Sequence, residues 1–331
     1  MSIKFGVCAD LHVDIMHDCE ERLAVFLDAC KKENVDFIIQ LGDFCYPETR
    51  DCICQPEKRP VNVENALKTK TYADKDKIID MYNNFEKPSY HVIGNHDCDM
   101  CSKEQILEYY GADYGPYYSF DMGGFHFVVL DPNYMKLGDE YVSFDRGNYF
   151  DESYRPDKVL PYLPEEQLKW LEKDLATTHY PSVLFSHQML TEGTGGILNH
   201  KDLRKIINNA PNKVVISVNG HLHVDTAEKV DNTWYLNINS MSNFWVDKRG
   251  MRTNRYPAEI YEKYPNIKYV VPYDKSLFAI IEMDENGAKT KGTKSNFVGE
   301  SPDEMGLTGK GCHYENWHVS SVIEDRYLPF K

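Results

Sequence analysis

The chain has 331 residues, with 37 Lys and Arg against 52 Asp and Glu and a formal charge of −15. Its 42% apolar content supports a sizeable core and excludes disorder as the main state. The acidic balance excludes a general binder of nucleic-acid polymers or anionic membranes, which would present a basic stripe. No window approaches the ~18 uninterrupted apolar residues of a membrane span. Nine cysteines, an odd number in a chain this long, do not read as a disulfide framework. The apolar run from Ile3 to Ala9 is too short for a secretory leader. A cytoplasmic, reducing setting is expected.

Residues 3–9 form a short apolar run ending at Asp10, and Leu23, Phe26, Leu27 and Cys30 then mark an amphipathic helix. Val35 to Leu41 is a buried-strand run closed by Gly42-Asp43, and a helix is expected around 62–86 with Ile78, Tyr82 and Phe85 on one side. Short strands follow from Tyr90 to Ile93 and from Phe125 to Leu130. Pro164-Glu165-Glu166 opens a helix, because Pro fits the first turn and acids suit its positive end. Ser182 to Phe185 is a strand, Leu203, Ile206 and Ile207 mark a helix, and Val214 to Val218 is a strand stopping at Asn219-Gly220-His221. Trp234 to Ile238 and Leu277 to Met283 complete the strands. The alternation predicts a layered α/β fold.

Residues 133–163 and 242–274 break this rhythm, with many tyrosines and no clear period, and read as insert loops beside the site. One domain over 1–290 and a C-terminal extension over 291–331 are expected, since α/β folds run past ~250 residues as one unit.

The polar residues fall where strands end. Asp10 and His12, Asp43, Asn95 and His96, His187, and His221 and His223 each follow an apolar run directly. In open α/β sheets the carboxyl ends of the strands form the ligand crevice. Strands ending in one direction would gather these residues into a set of oxygen and imidazole donors suited to Zn, Fe, Mn or Ni rather than to a thiolate-dominated site.

Asp10-Leu11-His12, Gly42-Asp43, Gly94-Asn95-His96-Asp97, Ser186-His187 and Gly220-His221-Leu222-His223 together resemble the calcineurin-like metallophosphoesterase family. Their pattern is most like the cyclic-nucleotide phosphodiesterase and nucleotide-pyrophosphatase branch. The resemblance implies a four-layer α/β/β/α sandwich, two packed mixed β-sheets flanked by helices. It implies two metal ions (Mn, Fe or Zn), one held by Asp10, His12, Asp43 and His223. Asp43, Asn95, His187 and His221 would hold the other, with Asp43 bridging. A metal-bridging hydroxide would attack the phosphorus in line, and His96 would serve the leaving group as acid or charge stabiliser. Asp97 is placed with His96 as a catalytic candidate that orients backbone or His96 rather than touching metal. The implied substrate is a small phosphodiester, or a nucleotide-like phosphate or pyrophosphate.

Gly42-Asp43-Phe44-Cys45-Tyr46 also fits the Gly-Asp-x-x-Tyr pattern of purple acid phosphatases, so a monoesterase with Tyr46 on ferric iron is the alternative. The presence of His12 argues instead for Tyr46 lining the pocket. The protein-phosphatase branch carries, where Tyr46 stands, an acid that partners the catalytic histidine, and this chain lacks it there. Tyr134 on the insert could stack on a base, and Arg146 and Arg155 could grip a phosphate through their planar forks. A silent metal-binding scaffold is a further reading, disfavoured because all seven ligand candidates and His96 are present. Cys52, Cys54, Cys98 and Cys101 could form a structural zinc site, but the one-residue spacing of the first pair fits poorly.

Overall fold

The computed structural model describes residues 2–13, 15–44, 70–150, 158–246, 248–312, 314–315 and 317–331. In chain order the elements are β1 (Ser2–Cys8), α1 (Cys19–Glu33), β2 (Phe37–Gln40), α2 (Lys70–Asn83), β3 (Ser89–His91), α3 (Lys103–Tyr110), β4 (Tyr118–Met122) and β5 (Phe125–Val129). A small group follows, β6 (Tyr134–Leu137), β7 (Glu140–Ser143) and β8 (Lys158–Val159). Then come α4 (Glu165–Thr177), β9 (Ser182–Ser186), α5 (His200–Asn209), β10 (Val214–Asn219), β11 (Thr226–Val230) and β12 (Thr233–Asn237). The chain continues with β13 (Asn243–Trp245), α6 (Ala258–Lys263), β14 (Val270–Pro272), β15 (Ala279–Asp284), β16 (Gly287–Lys291) and β17 (Arg326–Pro329).

Two six-stranded sheets result, ordered β17-β16-β15-β1-β2-β3 and β11-β12-β10-β9-β5-β4. In the first, β1, β2 and β3 run parallel and β15 pairs antiparallel with β1. In the second, β12, β10, β9 and β5 are parallel, with antiparallel β11 and β4 at the edges. Period-two alternation sends Phe5, Val7, Phe37 and Ile39 inward to meet Phe127, Val129, Val183 and Phe185 of the facing sheet. The Phe5 ring stacks on Phe37 at 4.8 Å and meets Phe127 and Phe185 edge-on at 5.9 and 5.8 Å. Cys8 and Ile38 point outward to pack with Leu23, Phe26 and Ile78 of α1 and α2. Val128 and Leu184 face Leu171, Leu175, Leu203 and Ile207 of α4 and α5. The architecture is thus the expected sandwich of two mixed sheets flanked by helices.

The two segments read as loops carry short elements of their own. β6, β7 and β8 form a three-stranded sheet, and β13 and β14 a two-stranded one. Each strand has at most four residues, too few for alternation to stand out. After residue 290, β17 returns as the edge strand of the first sheet. Arg326 also grips Asp225 with both terminal nitrogens, at 2.9 and 2.5 Å. Among the described residues, no helix is long and apolar enough to cross a membrane.

One polar bridge across this frame makes stability depend on pH. His126 on β5 has Nδ1 2.6 Å from Asp121 Oδ1 and Nε2 2.8 Å from Asp174 Oδ2. Burial works against a charge there, but the two carboxylates outweigh it and raise the imidazole above its usual 6.5. A raised folded-state pKa contributes stability that is fully present below about 6.5 and is lost as pH rises through the folded value. His126→Asn is therefore expected to lower the urea midpoint more at pH 6 than at pH 9. Equal losses at both values would show that the bridge carries no linked proton.

Candidate metal centre

The ends of β1, β2 and β3 in one sheet and of β9 and β10 in the other converge. Two clusters of buried or nearly buried donors form there, Asp10 with His12 and His223, and Asp43 with His187 and His221, each with ligand atoms within 4.8 Å of one another. The strands stop abruptly: Asp10, His12, Asp43, His221 and His223 have φ values of 54°, 53°, 49°, 74° and 53°. Left-handed backbone costs a non-glycine residue about 1 kcal/mol or more, and such strain gathers where function over-determines it. Here the turns brace each other. Asp10 N donates to Gly42 O at 3.0 Å and His12 N to Asp43 O at 3.1 Å. Ser240 Oγ and Ser242 Oγ hold the Asp10 carbonyl at 2.8 and 3.2 Å.

Two glycines give the carboxylate of Asp43 its room. Gly42 takes φ +95°, and a Cβ on Gly94 would fall 2.2 Å from both Asp43 N and Asp43 Oδ1. Asp97 closes the same corner, its Oδ2 accepting from Gly94 N at 2.7 Å and Asp43 N at 3.1 Å.

The donor set fits cations. His223 Nδ1 lies 2.7 Å from the Asn243 carbonyl and His187 Nδ1 2.8 Å from the Leu41 carbonyl. A carbonyl only accepts, so each Nδ1 carries the hydrogen and Nε2 is turned inward, the arrangement that orients metal-binding imidazoles. His223 Nε2 then faces His12 Nε2 at 3.1 Å and Asp10 Oδ1 at 3.3 Å. That Asp10 oxygen is buried and has no hydrogen-bond partner among the described residues. Two imidazole nitrogens and an orphaned carboxylate oxygen turned on one point form a repulsive set that a cation would relieve. Burial, then His223, press the His12 ring down to about 3, and burial and His187 do the same to His221, so both remain neutral donors.

In the second cluster His187 Nε2 lies 3.0 Å from Asp43 Oδ2, 3.1 Å from Asn95 Oδ1 and 3.2 Å from His221 Nδ1. Burial opposes a charge on His187, but the Asp43 carboxylate lifts the ring to about 9. Burial likewise opposes the Asp43 charge, and His187 holds that carboxyl well below its usual range. A cation bound by this pair would compete with the His187 proton, since metal ligands bind in their deprotonated form.

A family model described as calcineurin-like phosphoesterase matches residues 3–225. The chain belongs to the calcineurin-like phosphoesterase family. It is accordingly a metal-dependent phosphoric ester hydrolase. Among solved structures, a dimetal phosphatase from Danio rerio is similar in fold, at 16% identity over 90% of this chain and 99% of its own, with a TM-score of 0.57. GAP50, the anchor in the inner membrane complex of Plasmodium, is more distant at 15% identity, 100% and 89% coverage and a TM-score of 0.47. The purple acid phosphatase PPD1 from yellow lupin, Lupinus luteus, has 11% identity, 89% and 52% coverage and a TM-score of 0.46. No curated protein matches the chain.

Within this phosphoesterase, all seven ligand candidates lie at the convergent strand ends, and His96 stands beside them with its ring 5.9 Å from that of His12. His96 is 18% exposed, and its backbone N–H donates to Asp43 Oδ1 at 2.8 Å. Tyr134 and Arg146 make other contacts. The Tyr134 ring lies 3.6 Å under Lys103 Nζ, and the Arg146 guanidinium pairs with Asp145 at 2.7 Å and Gln105 Oε1 at 2.8 Å. Tyr46, Arg155, Cys52 and Cys54 lie outside the described residues. Cys98 and Cys101 are buried, and neither candidate metal cluster among the described residues contains a sulfur.

The sequence reading missed three features of the site. Asp99 partners His96 at 2.9 Å, and Trp245 sets its ring 5.7 Å from His12 and 6.3 Å from His96. The backbone carbonyls of Leu41 and Asn243 orient two histidines, and no side-chain pattern could have announced them.

Proposed function

We propose that this phosphoesterase hydrolyses a small phosphodiester or nucleotide-like phosphate at a dinuclear metal centre. Asp10, His12, Asp43 and His223 would hold one ion, and Asp43, Asn95, His187 and His221 the other. The observation that carries this reading is the pair of donor clusters at the convergent strand ends, each drawing residues from both sheets. Cations held there supply Lewis-acid charge to the phosphoryl oxygens and lower the pKa of water enough for attack at neutral pH. The residues of the chain do the rest. His187 and His223, fixed through their Nδ1 hydrogens, present Nε2; Asp97 keeps the Asp43 and Gly94 turns together; His96, the half-open member, donates a proton to the leaving oxygen.

The preference for a diester rests on the Asp-x-His start combined with Gly-Asn-His-Asp. Its test is metal analysis of the purified protein together with hydrolysis of bis-p-nitrophenyl phosphate and p-nitrophenyl phosphate in added manganese. About two metals per chain and faster diester cleavage are expected. Cleavage of the monoester alone, with a purple colour, would transfer the protein to the Tyr46–iron reading. No metal and no turnover with any cation would leave the scaffold. His96→Ala is expected to keep its metals and lose ~10²–10⁴-fold in kcat on diesters with an alkyl leaving group; loss of metal in that variant would make His96 a ligand instead.

A further inference from the structure

The proposed function leaves one buried acid beside the metal loops without a role. Asp99 is 1% exposed and closes the 3₁₀ turn His96–Asp99 that begins at the candidate proton donor. Its Oδ2 lies 2.9 Å from His96 Nδ1, and its Oδ1 accepts from the hydroxyl of Tyr149. That hydroxyl is also 3.3 Å from the Asn95 carbonyl. A carboxylate oxygen accepts, so the Tyr149 hydroxyl is the donor in this pair. Tyr149 comes from the tyrosine-rich insert. Its ring stacks on Phe144 at 4.4 Å, and Gly147 N donates to Cys98 O at 2.9 Å, fastening the insert to the turn.

A carboxylate is costly to bury unless its partners justify it. The hydrogen bonds Asp99 makes among the described residues go to one imidazole and one phenol. We propose that Asp99, held in place by Tyr149, positions His96 for catalysis. The carboxylate accepts from Nδ1–H, fixes the ring plane and tautomer, and offsets the ring's positive charge, leaving Nε2 to face the leaving group. Asp99 touches neither substrate nor metal and acts through His96. This assignment rests on the reading of His96 as proton donor. In that step a water oxygen forms a new bond to phosphorus and releases its proton to solvent. The ester P–O bond breaks with its electron pair going to the leaving oxygen. The Nε2 proton passes to that oxygen, and the ring is left neutral with Nδ1–H on Asp99. The insert, on this view, is a brace for the proton donor.

The test compares Asp99→Asn and Tyr149→Phe with wild type, loaded with manganese for kinetics and with diamagnetic zinc for spectroscopy. Asp99→Asn is expected to retain its metals and its KM. It should lose ~10²-fold or more in kcat on diesters with an alkyl leaving group and less than ~10-fold where p-nitrophenolate leaves, since a good leaving group needs no proton. In a His96→Ala background the same substitution should cost nothing further, because residues acting as one unit are not additive. Tyr149→Phe should show a smaller loss with the same leaving-group pattern, and it carries the test if Asp99→Asn does not fold. Imidazole ¹⁵N spectra of the zinc protein, with His96→Gln for assignment, should show an Nδ1–H ring at His96 in wild type and a changed tautomer in Asp99→Asn. Equal losses for both leaving groups, additivity with His96→Ala, or an unchanged tautomer would each overturn the assignment. A wild-type protein without turnover would defeat the proposed function instead, and the tautomer comparison alone would then decide whether Asp99 orients His96.

Discussion

Gly94→Ala is expected to strip most activity from the enzyme while leaving its fold intact. The added methyl would stand 2.2 Å from Asp43 N and Asp43 Oδ1, against an ordinary contact of at least 3.4 Å. Both are atoms of one residue whose Oδ2 faces His187 at 3.0 Å, so the clash cannot be relieved by a side-chain rotation that spares the site. Asp43 must move by about 1 Å, and displacements of that size at a catalytic centre cost ~10²-fold in rate. A circular dichroism spectrum like that of wild type, a metal content below two per chain and a kcat/KM reduced ~10²-fold or more would bear this out. Full metal loading with turnover near wild type would show that the 42–43 and 94–97 turns yield more easily than their mutual hydrogen bonds suggest.

The largest expected effect on stability lies outside the candidate metal clusters, at Lys103. Its ammonium is 5% exposed and sits 2.5 Å from Asp131 Oδ2, whose side chain is fully buried. It also donates to the Asn133 carbonyl at 2.8 Å. From there the network runs inward: Asn133 Nδ2 reaches the Ile93 carbonyl at 2.7 Å, and Gln188 Nε2 reaches Asn133 Oδ1 at 2.7 Å. Ile93 leads into the Gly-Asn-His-Asp turn, and Gln188 follows His187. Lys103→Met would leave the Asp131 carboxylate buried without its counter-ion, a change that costs about 3–5 kcal/mol. Urea unfolding should show that loss, and Lys103→Met combined with Asp131→Leu should recover part of it. A double variant no better than the single one would mean that the network depends on the Asp131–Asn133 bonds, at 3.1 and 2.9 Å, more than on the charge.

Most strands that carry the site were legible because they are buried apolar runs cut short by polar residues; β3, Ser89–His91, is only partly buried and was marked by the Val92-Ile93 pair after it. Phe37 to Gln40 and Val214 to Asn219 are buried at every position. Edge strands gave no such signal. Thr226–Val230 reads TAEKV with no residue fully buried, since it pairs on one side and meets solvent on the other. The start of α3 is marked in the sequence by Ser102 and Gln105, which form a capping box. Asp99 was hidden for a geometric reason: a spacing of three carries no expectation of contact outside a regular helix, and here a 3₁₀ turn supplies it. Tyr134 and Arg146 have side chains able to stack on a base or grip a phosphate, but side-chain capability does not fix placement. The fold engages one with Lys103 and the other with Asp145 and Gln105.

The order of strands in the first sheet bears on how the protein comes to fold during synthesis. β1 is central: Phe5 pairs with Phe37 on one side and with Ile281 on the other. The first partner leaves the ribosome soon after β1, but the second is made roughly tens of seconds later at ~5–20 residues per second. Until then one flank of β1 lacks its ladder, and the turn that begins at Asp10 hangs from an unfinished edge. The first sheet is thus begun early and closed late, and a chaperone that shields exposed strand edges would find its target in that interval.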